Sequence, residues 1–151
     1  MKIFRTFEEI LDYAIDIESD EVDFYSKMAQ QMSNKNVSSL FHDIALEKMA
    51  HMLKLEKMKD LHEHFPLDKV SDMKIAKTLD DVDYNRKDLN YQEALIIAMK
   101  KEKANFSFYL ELSKNAVNKE CKTVFLGLSN EAARQKLRFE IEYDEYILQE
   151  N

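Results

Sequence analysis

A chain of 151 residues with 45% hydrophobic side chains is the size of one domain, and a domain of that length hides roughly 70% of the surface its unfolded form would expose. A net charge of −7, with no basic stripe, argues against a nucleic-acid partner and against an anionic membrane surface. One glycine, one proline and one cysteine (Cys121) argue for long helices joined by few turns, and exclude an internal disulfide and any metal module built on four cysteines.

No apolar run approaches the ~20 residues of a membrane span. The opening residues MKIFRTFEE do not read as a signal peptide, and the expected compartment is a reducing cytoplasm. Thr6-Phe7-Glu8-Glu9 then fits a capping box, the Thr6 hydroxyl taking a first-turn N–H while Glu9 reaches back. Apolar residues follow at helical spacing: Phe7, Leu11, Ala14, Val22, Tyr25, Ala29 and Met32. Glu18 falls inside that stripe, and Glu21 lies close to the same face. The polar run Ser33-Asn34-Lys35-Asn36 ends the first helix.

The second predicted helix runs from about Val37 to His64, with Pro66 as its stop. Its core-facing stripe is Val37, Phe41, Ile44, Lys48, His51, Leu55 and Met58. Residues three apart on a helix are neighbours, so Lys48 and His51 point together into whatever this helix packs against. Residues 65–89 are polar and irregular, with a short helix expected near Asp72–Thr78. A loop this long inside a compact domain needs a purpose, and the simplest is a crossover along a bundle. A helix of about 26 residues is about 39 Å long, and about 25 extended residues reach up to about 80 Å.

The third helix begins at Asn90, with Glu93 completing a second capping arrangement. Its stripe is Tyr91, Leu95, Ala98, Glu102, Asn105, Tyr109, Leu112 and Ala116. After the polar turn Asn118-Lys119-Glu120, the fourth carries Cys121, Phe125, Leu128, Ala132, Gln135, Phe139, Glu142 and Tyr146.

The two halves are a repeat. A shift of 84 residues, from Glu18 to Glu102, pairs Glu9 with Glu93, Leu11 with Leu95, Ala14 with Ala98, Phe24 with Phe108 and Tyr25 with Tyr109. It also pairs Asn34 with Asn118, Lys35 with Lys119, Phe41 with Phe125, Glu47 with Glu131, Leu53 with Leu137 and Glu56 with Glu140, without a gap. Roughly three identities are expected by chance at average composition. These twelve, with caps and turns in phase, indicate duplication of a helical hairpin. The expected fold is therefore all-α: a single ferritin-like four-helix bundle spanning 1–151. Its two antiparallel hairpins, at about 6–64 and 90–149, are joined by one long crossover.

Each helix contributes to one central layer: Glu18, then Lys48 and His51, then Glu102, then Ala132 and Gln135. In such bundles a di-iron centre is built from one Glu on each of two helices and Glu-x-x-His on each of the other two. Carboxylates bridge two hard cations, imidazoles complete the shell, and open positions admit oxygen or peroxide. In AIDIESDEVDFY, LFHDIALEKMAH, YQEALIIAMKKEKANFSFY and VFLGLSNEAARQKLRFEIEYDEY, and so along most of its length, the chain resembles the rubrerythrin branch of the ferritin-like superfamily. The resemblance implies a dimeric bundle with a di-iron site that reduces peroxide or handles iron. Carried over by position, Glu18 and Glu102 match the single-Glu ligands and His51 matches one histidine. Lys48 and Ala132 stand where the family has the two Glu-x-x-His glutamates, and Gln135 stands where it has the second histidine. The rubredoxin-type module with four cysteines is absent.

An ammonium in the place of a bridging carboxylate repels a metal and can itself pair with Glu18 and Glu102; a buried charge needs such pairing. The expectation is a Glu18–Lys48–Glu102 network with His51 and Gln135 hydrogen-bonded nearby, and no stoichiometric iron, manganese or zinc. The competing expectation is one weak metal held by Glu18, His51 and Glu102, or a site rescued by Glu21, Glu47 or Glu131. One residue is about 100° around a helix, which sets Glu47 on a flank. Two functions follow: a non-catalytic homodimeric structural, binding or regulatory protein, or a metal-binding oxidoreductase with a reduced or displaced site. Whether the chain is an enzyme stays open at this point.

Other residues read more simply. Tyr25 and Tyr109 lie two turns from the central glutamates, as hydrogen-bond donors to them or as core aromatics. Met49, Met52 and Met58 suggest adaptable packing in the core or at a dimer face. His62 and His64 read as solvated residues near a helix C-terminus, with weak surface metal binding as the alternative. Cys121 reads as a buried thiol. The tail from Glu140 to Asn151 continues the fourth helix, with Tyr143, Tyr146 and Ile147 covering a neighbour or a second subunit. Nothing resembles a nucleophile triad, a phosphate loop or a nucleotide fingerprint.

Overall fold

Few breakers and a sustained helical period leave the chain little choice but long helices, and a computed structural model, which describes residues 2–4, 6–60, 73–75 and 89–150, has four of them. In order they are α1 (Phe7–Gln31), α2 (Lys35–Asp60), α3 (Tyr91–Asn115) and α4 (Lys119–Glu150). Two three-residue strands accompany them, β1 (Lys2–Phe4) before α1 and β2 (Met73–Ile75) between α2 and α3. The fold is all-α: two antiparallel helical hairpins, α1–α2 and α3–α4, linked by a crossover.

Caps set where the helices begin. Thr6 is extended (φ −128°, ψ 155°), and its Oγ1 accepts from the Glu9 N–H at 3.1 Å. Asn90 Oδ1 accepts from Glu93 N–H at 2.8 Å. Asn34 Oδ1 accepts from Asn36 and Val37 N–H at 2.9 and 3.3 Å, and its repeat counterpart Asn118 accepts from Glu120 and Cys121 N–H at 2.8 and 3.2 Å. Asparagine is a strong N-cap because its short side chain reaches first-turn donors that have no intrahelical partner. That is why α2 starts at Lys35, two residues before the expected Val37. The expected run of α2 to His64, the stop at Pro66, His62 and residues 65–72 and 76–88 lie outside the described residues, as does Asn151.

The short helix expected near Asp72–Thr78 is corrected: Met73–Ile75 is a strand, paired antiparallel with Lys2–Phe4 in the register Lys2 with Ile75 and Phe4 with Met73. A helix of about seven residues barely repays its nucleation, whereas a partner strand satisfies the backbone groups of Met73–Ile75 at once. The Phe4 side chain is buried and meets the Tyr13 ring at 5.1 Å.

The chain divides into two compact units, Met1–Ile75 with Ala116–Cys121, and Ala76–Asn115 with Lys122–Asn151. In the first, α1 and α2 pack through Ile10, Leu11, Ala14, Phe41, Ile44 and Leu55, all fully buried. Tyr25 stacks on Phe41 at 5.9 Å. The Ser38 hydroxyl donates to the Ala29 carbonyl at 2.5 Å, and Lys59 pairs with Asp12 at 2.5 Å. The expected α2 stripe is buried throughout except Met58, which is half-buried; Met52 is also half-buried and Met49 exposed, so these methionines are not core.

In the second unit the repeat reappears as geometry. Tyr109 stacks on Phe125 at 6.4 Å, the counterpart of Tyr25 on Phe41. Phe108 meets Tyr109 edge-on at 5.2 Å, as Phe24 meets Tyr25 at 5.1 Å. Both tyrosines are buried in the core of their units. The Ser129 hydroxyl donates to the Phe106 carbonyl at 3.1 Å. Near the far end Tyr91 Oη donates to Glu142 Oε2 at 3.3 Å, Gln92 Nε2 donates to Tyr143 Oη at 3.2 Å, and the Tyr91 and Tyr146 rings meet edge-on at 4.7 Å. Tyr143 and Tyr146 thus cover α3 of their own chain; the Ile147 side chain lies outside the described residues. Cys121 is a buried thiol. Among the described residues no helix is long and apolar enough to cross a membrane.

Burial, then the Glu142 carboxylate, pushes the Tyr91 phenol up to about 12 from its ordinary value of 10.0. A raised acid pKa means the folded state holds the proton more tightly. The stabilisation is whole below about pH 10 and is lost as pH rises toward about 12. Urea titrations at successive pH values in that window are expected to show stability falling more steeply in the parent than in Tyr91→Phe, which has no phenol to ionise. Equal slopes would refute it.

Candidate functional site

The polar residues of the first unit come from one turn of α1 and one turn of α2. Glu18 and Glu21 are neighbours on α1, Lys48 and His51 on α2, and all four are buried. Lys48, 1% exposed, places Nζ 3.0 Å from Glu21 Oε1 and 4.0 Å from Glu18 Oε2. His51 Nδ1 lies 3.3 Å from Glu18 Oε2. The helical period that buries Phe41, Ile44 and Leu55 carries Lys48 and His51 inward with them, and there the two carboxylates meet them. This cluster holds two acidic groups and one ammonium, with the imidazole as a second cation if protonated.

The second unit carries a sparser set at the repeat-equivalent positions. Glu102 is fully buried and accepts from Asn105 Nδ2 at 3.2 Å. Asn105 stands where the first hairpin has Glu21, Ala132 where it has Lys48, and Gln135 where it has His51; all three are buried. Lys101 is also buried, as the neighbour of Glu102 in sequence.

Lys48 and His51 thus both approach Glu18, at 4.0 and 3.3 Å, and Glu102 and Gln135 are buried. Glu21, taken from sequence as a residue close to the face, is buried and 3.0 Å from the ammonium. Its signal was available: it lies one turn after Glu18, and its repeat partner Asn105 falls on the α3 stripe. Lys101 gave no signal, since one residue before Glu102 is about 100° off the stripe. Glu47 is exposed, as its flank position requires, and Glu131 is half-buried.

A di-iron centre does not fit these residues. It needs carboxylates where Lys48 and Ala132 stand, and Lys48 directs a cation at the acids that would have to bind metal. Among the described residues no group of three or more His, Cys, Asp or Glu is placed to hold a metal ion.

The comparisons with known proteins follow the same lines. No curated protein matches. Among solved structures, the chain is similar to a crystal structure of a candidate ferritin-like diiron-carboxylate protein from Thermotoga maritima, with 21% identity and a TM-score of 0.80, covering 97% of this chain and 99% of that one. It is also similar to a hypothetical protein from Pyrococcus furiosus, with 22% identity and a TM-score of 0.68, covering 91% and 87%. At these identities the likeness shows the fold, a ferritin-like four-helix bundle. The model of the rubrerythrin family matches residues 9–139, which take in Glu18, Lys48, His51, Glu102, Ala132 and Gln135, so the chain belongs to the rubrerythrin family, as a member with no intact metal-binding cluster among its described residues.

Proposed function

We propose that this protein is a rubrerythrin-family member in which the di-iron centre has given way to a fixed ion-pair cluster. It serves as a single-domain, non-catalytic homodimer with a structural, binding or regulatory role in the cytoplasm. The observation that carries the reading is the Lys48 ammonium, buried 3.0 Å from Glu21 and 4.0 Å from Glu18 at a position where the family places a metal-ligating glutamate. A second reading, an oxidoreductase with a reduced site, is favoured by the contact between His51 and Glu18 at 3.3 Å, which keeps two family ligand positions together.

Elemental analysis of protein reconstituted anaerobically with ferrous iron separates the two. The wild type is expected to retain no stoichiometric iron, and Lys48→Glu with Ala132→Glu and Gln135→His is expected to gain it. Two iron equivalents per wild-type chain would overturn the proposal. One equivalent that disappears on His51→Ala would establish the reduced site. A triple variant that gains no iron would contradict the claim of a displaced centre.

A further inference from the structure

The contact that neutralises Lys48 also holds its nitrogen against an electrophile. Lys48 Nζ lies 3.0 Å from Glu21 Oε1, and the Glu21 carboxyl carbon is one bond beyond that oxygen. Lys48, Glu21 and Glu18 are 1%, 2% and 0% exposed. Apolar side chains flank them along both helices, Ala14 and Tyr25 on α1 and Ile44 and Leu55 on α2, each fully buried. An amine and a carboxyl do not condense in water, where hydration favours the separated ions and hydrolysis reverses the amide. Both obstacles weaken in this interior. Burial raises the free energy of the two ions far more than that of a neutral amide. Well-oriented intramolecular reactants act at effective concentrations of about 10⁵–10⁸ M, and a closed site keeps out the water that would hydrolyse the product.

The atoms balance without another reactant. The Lys48 ammonium carries three protons, and an amide nitrogen keeps one of them. The other two leave with one Glu21 oxygen as water. The Nζ–Cδ bond forms, one Cδ–Oε bond breaks, and nothing is oxidised or reduced. A base beside the nitrogen is needed to carry a proton from it to the departing oxygen. Glu18 Oε2 is that base, 4.0 Å from Nζ and about 1 Å short of hydrogen-bond reach, a gap that a small turn of the long lysine side chain closes. His51 Nδ1, 3.3 Å from the same oxygen, holds the carboxylate in place. Condensation removes one charge of each sign, so the net charge of the cluster does not change. Glu18 keeps His51 beside it and gains the amide N–H as a donor. The other hairpin has no such trio, because Asn105 and Ala132 stand at the positions of Glu21 and Lys48. The link is therefore single, and it closes the loop from residue 21 to residue 48.

We propose that in the folded chain Lys48 and Glu21 condense to an intramolecular amide, a covalent staple between α1 and α2. The proposal rests on the Lys48–Glu21 contact of the proposed function, whose ion pair is the state before condensation. Purified wild-type protein, sampled when first isolated and through prolonged incubation below its melting temperature, is followed by intact-mass spectrometry and tryptic mapping. The expected result is a growing share of chains lighter by one water. In those chains the tryptic peptide 6–27 is joined to 36–54, since trypsin does not cut at an acylated lysine. Lys48→Arg keeps the positive charge but offers no amine to acylate, and is expected to hold its full mass. The wild-type map decides by itself if Lys48→Arg does not fold. A wild type that stays at full mass, a water lost while peptides 6–27 and 36–48 remain separate, or the same loss in Lys48→Arg would each overturn the amide. None of these results bears on the proposed function, which falls instead if the wild type retains iron.

Discussion

Lys48→Met is expected to destabilise the protein by about 3–5 kcal/mol, the usual cost of removing one partner from a buried ion pair. At roughly 2–4 °C per kcal/mol for a chain of this size, the melting temperature should fall on the order of 10 °C. Methionine matches the lysine stem in length and keeps its packing, so the loss isolates the charge. What remains is Glu21 and Glu18, both buried, with the ammonium gone from 3.0 and 4.0 Å away. The compensated variant makes the argument specific. Lys48→Met with Glu21→Gln is expected to recover much of the loss, because a neutral pair in the interior often costs little relative to the ion pair it replaces. The coupling is read from a double-mutant cycle in urea. Lys59→Met, which removes the Lys59–Asp12 pair at a partly exposed site, is the control and should cost no more than about 1 kcal/mol. A Lys48→Met loss no larger than that control would mean the buried pair is not what the distances indicate.

Phe41→Ala and Phe125→Ala are expected to cost about 3–5 kcal/mol each, the range for truncating a fully buried phenylalanine. Both rings are fully buried, and each stacks on a tyrosine of the partner helix, at 5.9 Å for Phe41 and 6.4 Å for Phe125. They are repeat equivalents in equivalent surroundings, so their costs should agree within the spread of such substitutions. Urea midpoints with unchanged m-values would report this cleanly. A large cost at one position and almost none at the other would show that the duplicated geometry does not carry duplicated energetics.

Much of the fold was legible in the sequence because its signals are local. Thr6 and Asn90 cap the helices that follow them with their own side chains, as the capping patterns implied, and Asn34 and Asn118, read from sequence only as polar turns, do the same over two or three residues. The stripe from Val37 to Leu55 is buried as its period implied, including the two polar members, Lys48 and His51. The strand at Met73–Ile75 was not legible, because three residues gain nothing from their own neighbours and form a strand only where Lys2–Phe4 comes alongside. Tyr143 and Tyr146 were equally ambiguous: a tyrosine on the stripe of a long helix faces something, and only the position of α3 decides what.

The same division runs through the site. By itself the sequence determined which chemistry is missing: a lysine and an alanine where a di-iron bundle needs carboxylates, and a glutamine where it needs an imidazole. Residue identity at a helical register is a local property, and the repeat sets the register twice. Tertiary structure decided where the lysine's charge goes. Two glutamates one turn apart on α1 were both within reach of a long, flexible side chain on α2. The packing of the two helices brings Lys48 Nζ to 3.0 Å from Glu21 and leaves it 4.0 Å from Glu18, which faces His51. That choice depends on the relative height and rotation of two helices, set by the fit of Tyr25, Phe41 and the residues packed around them, and no local pattern encodes it.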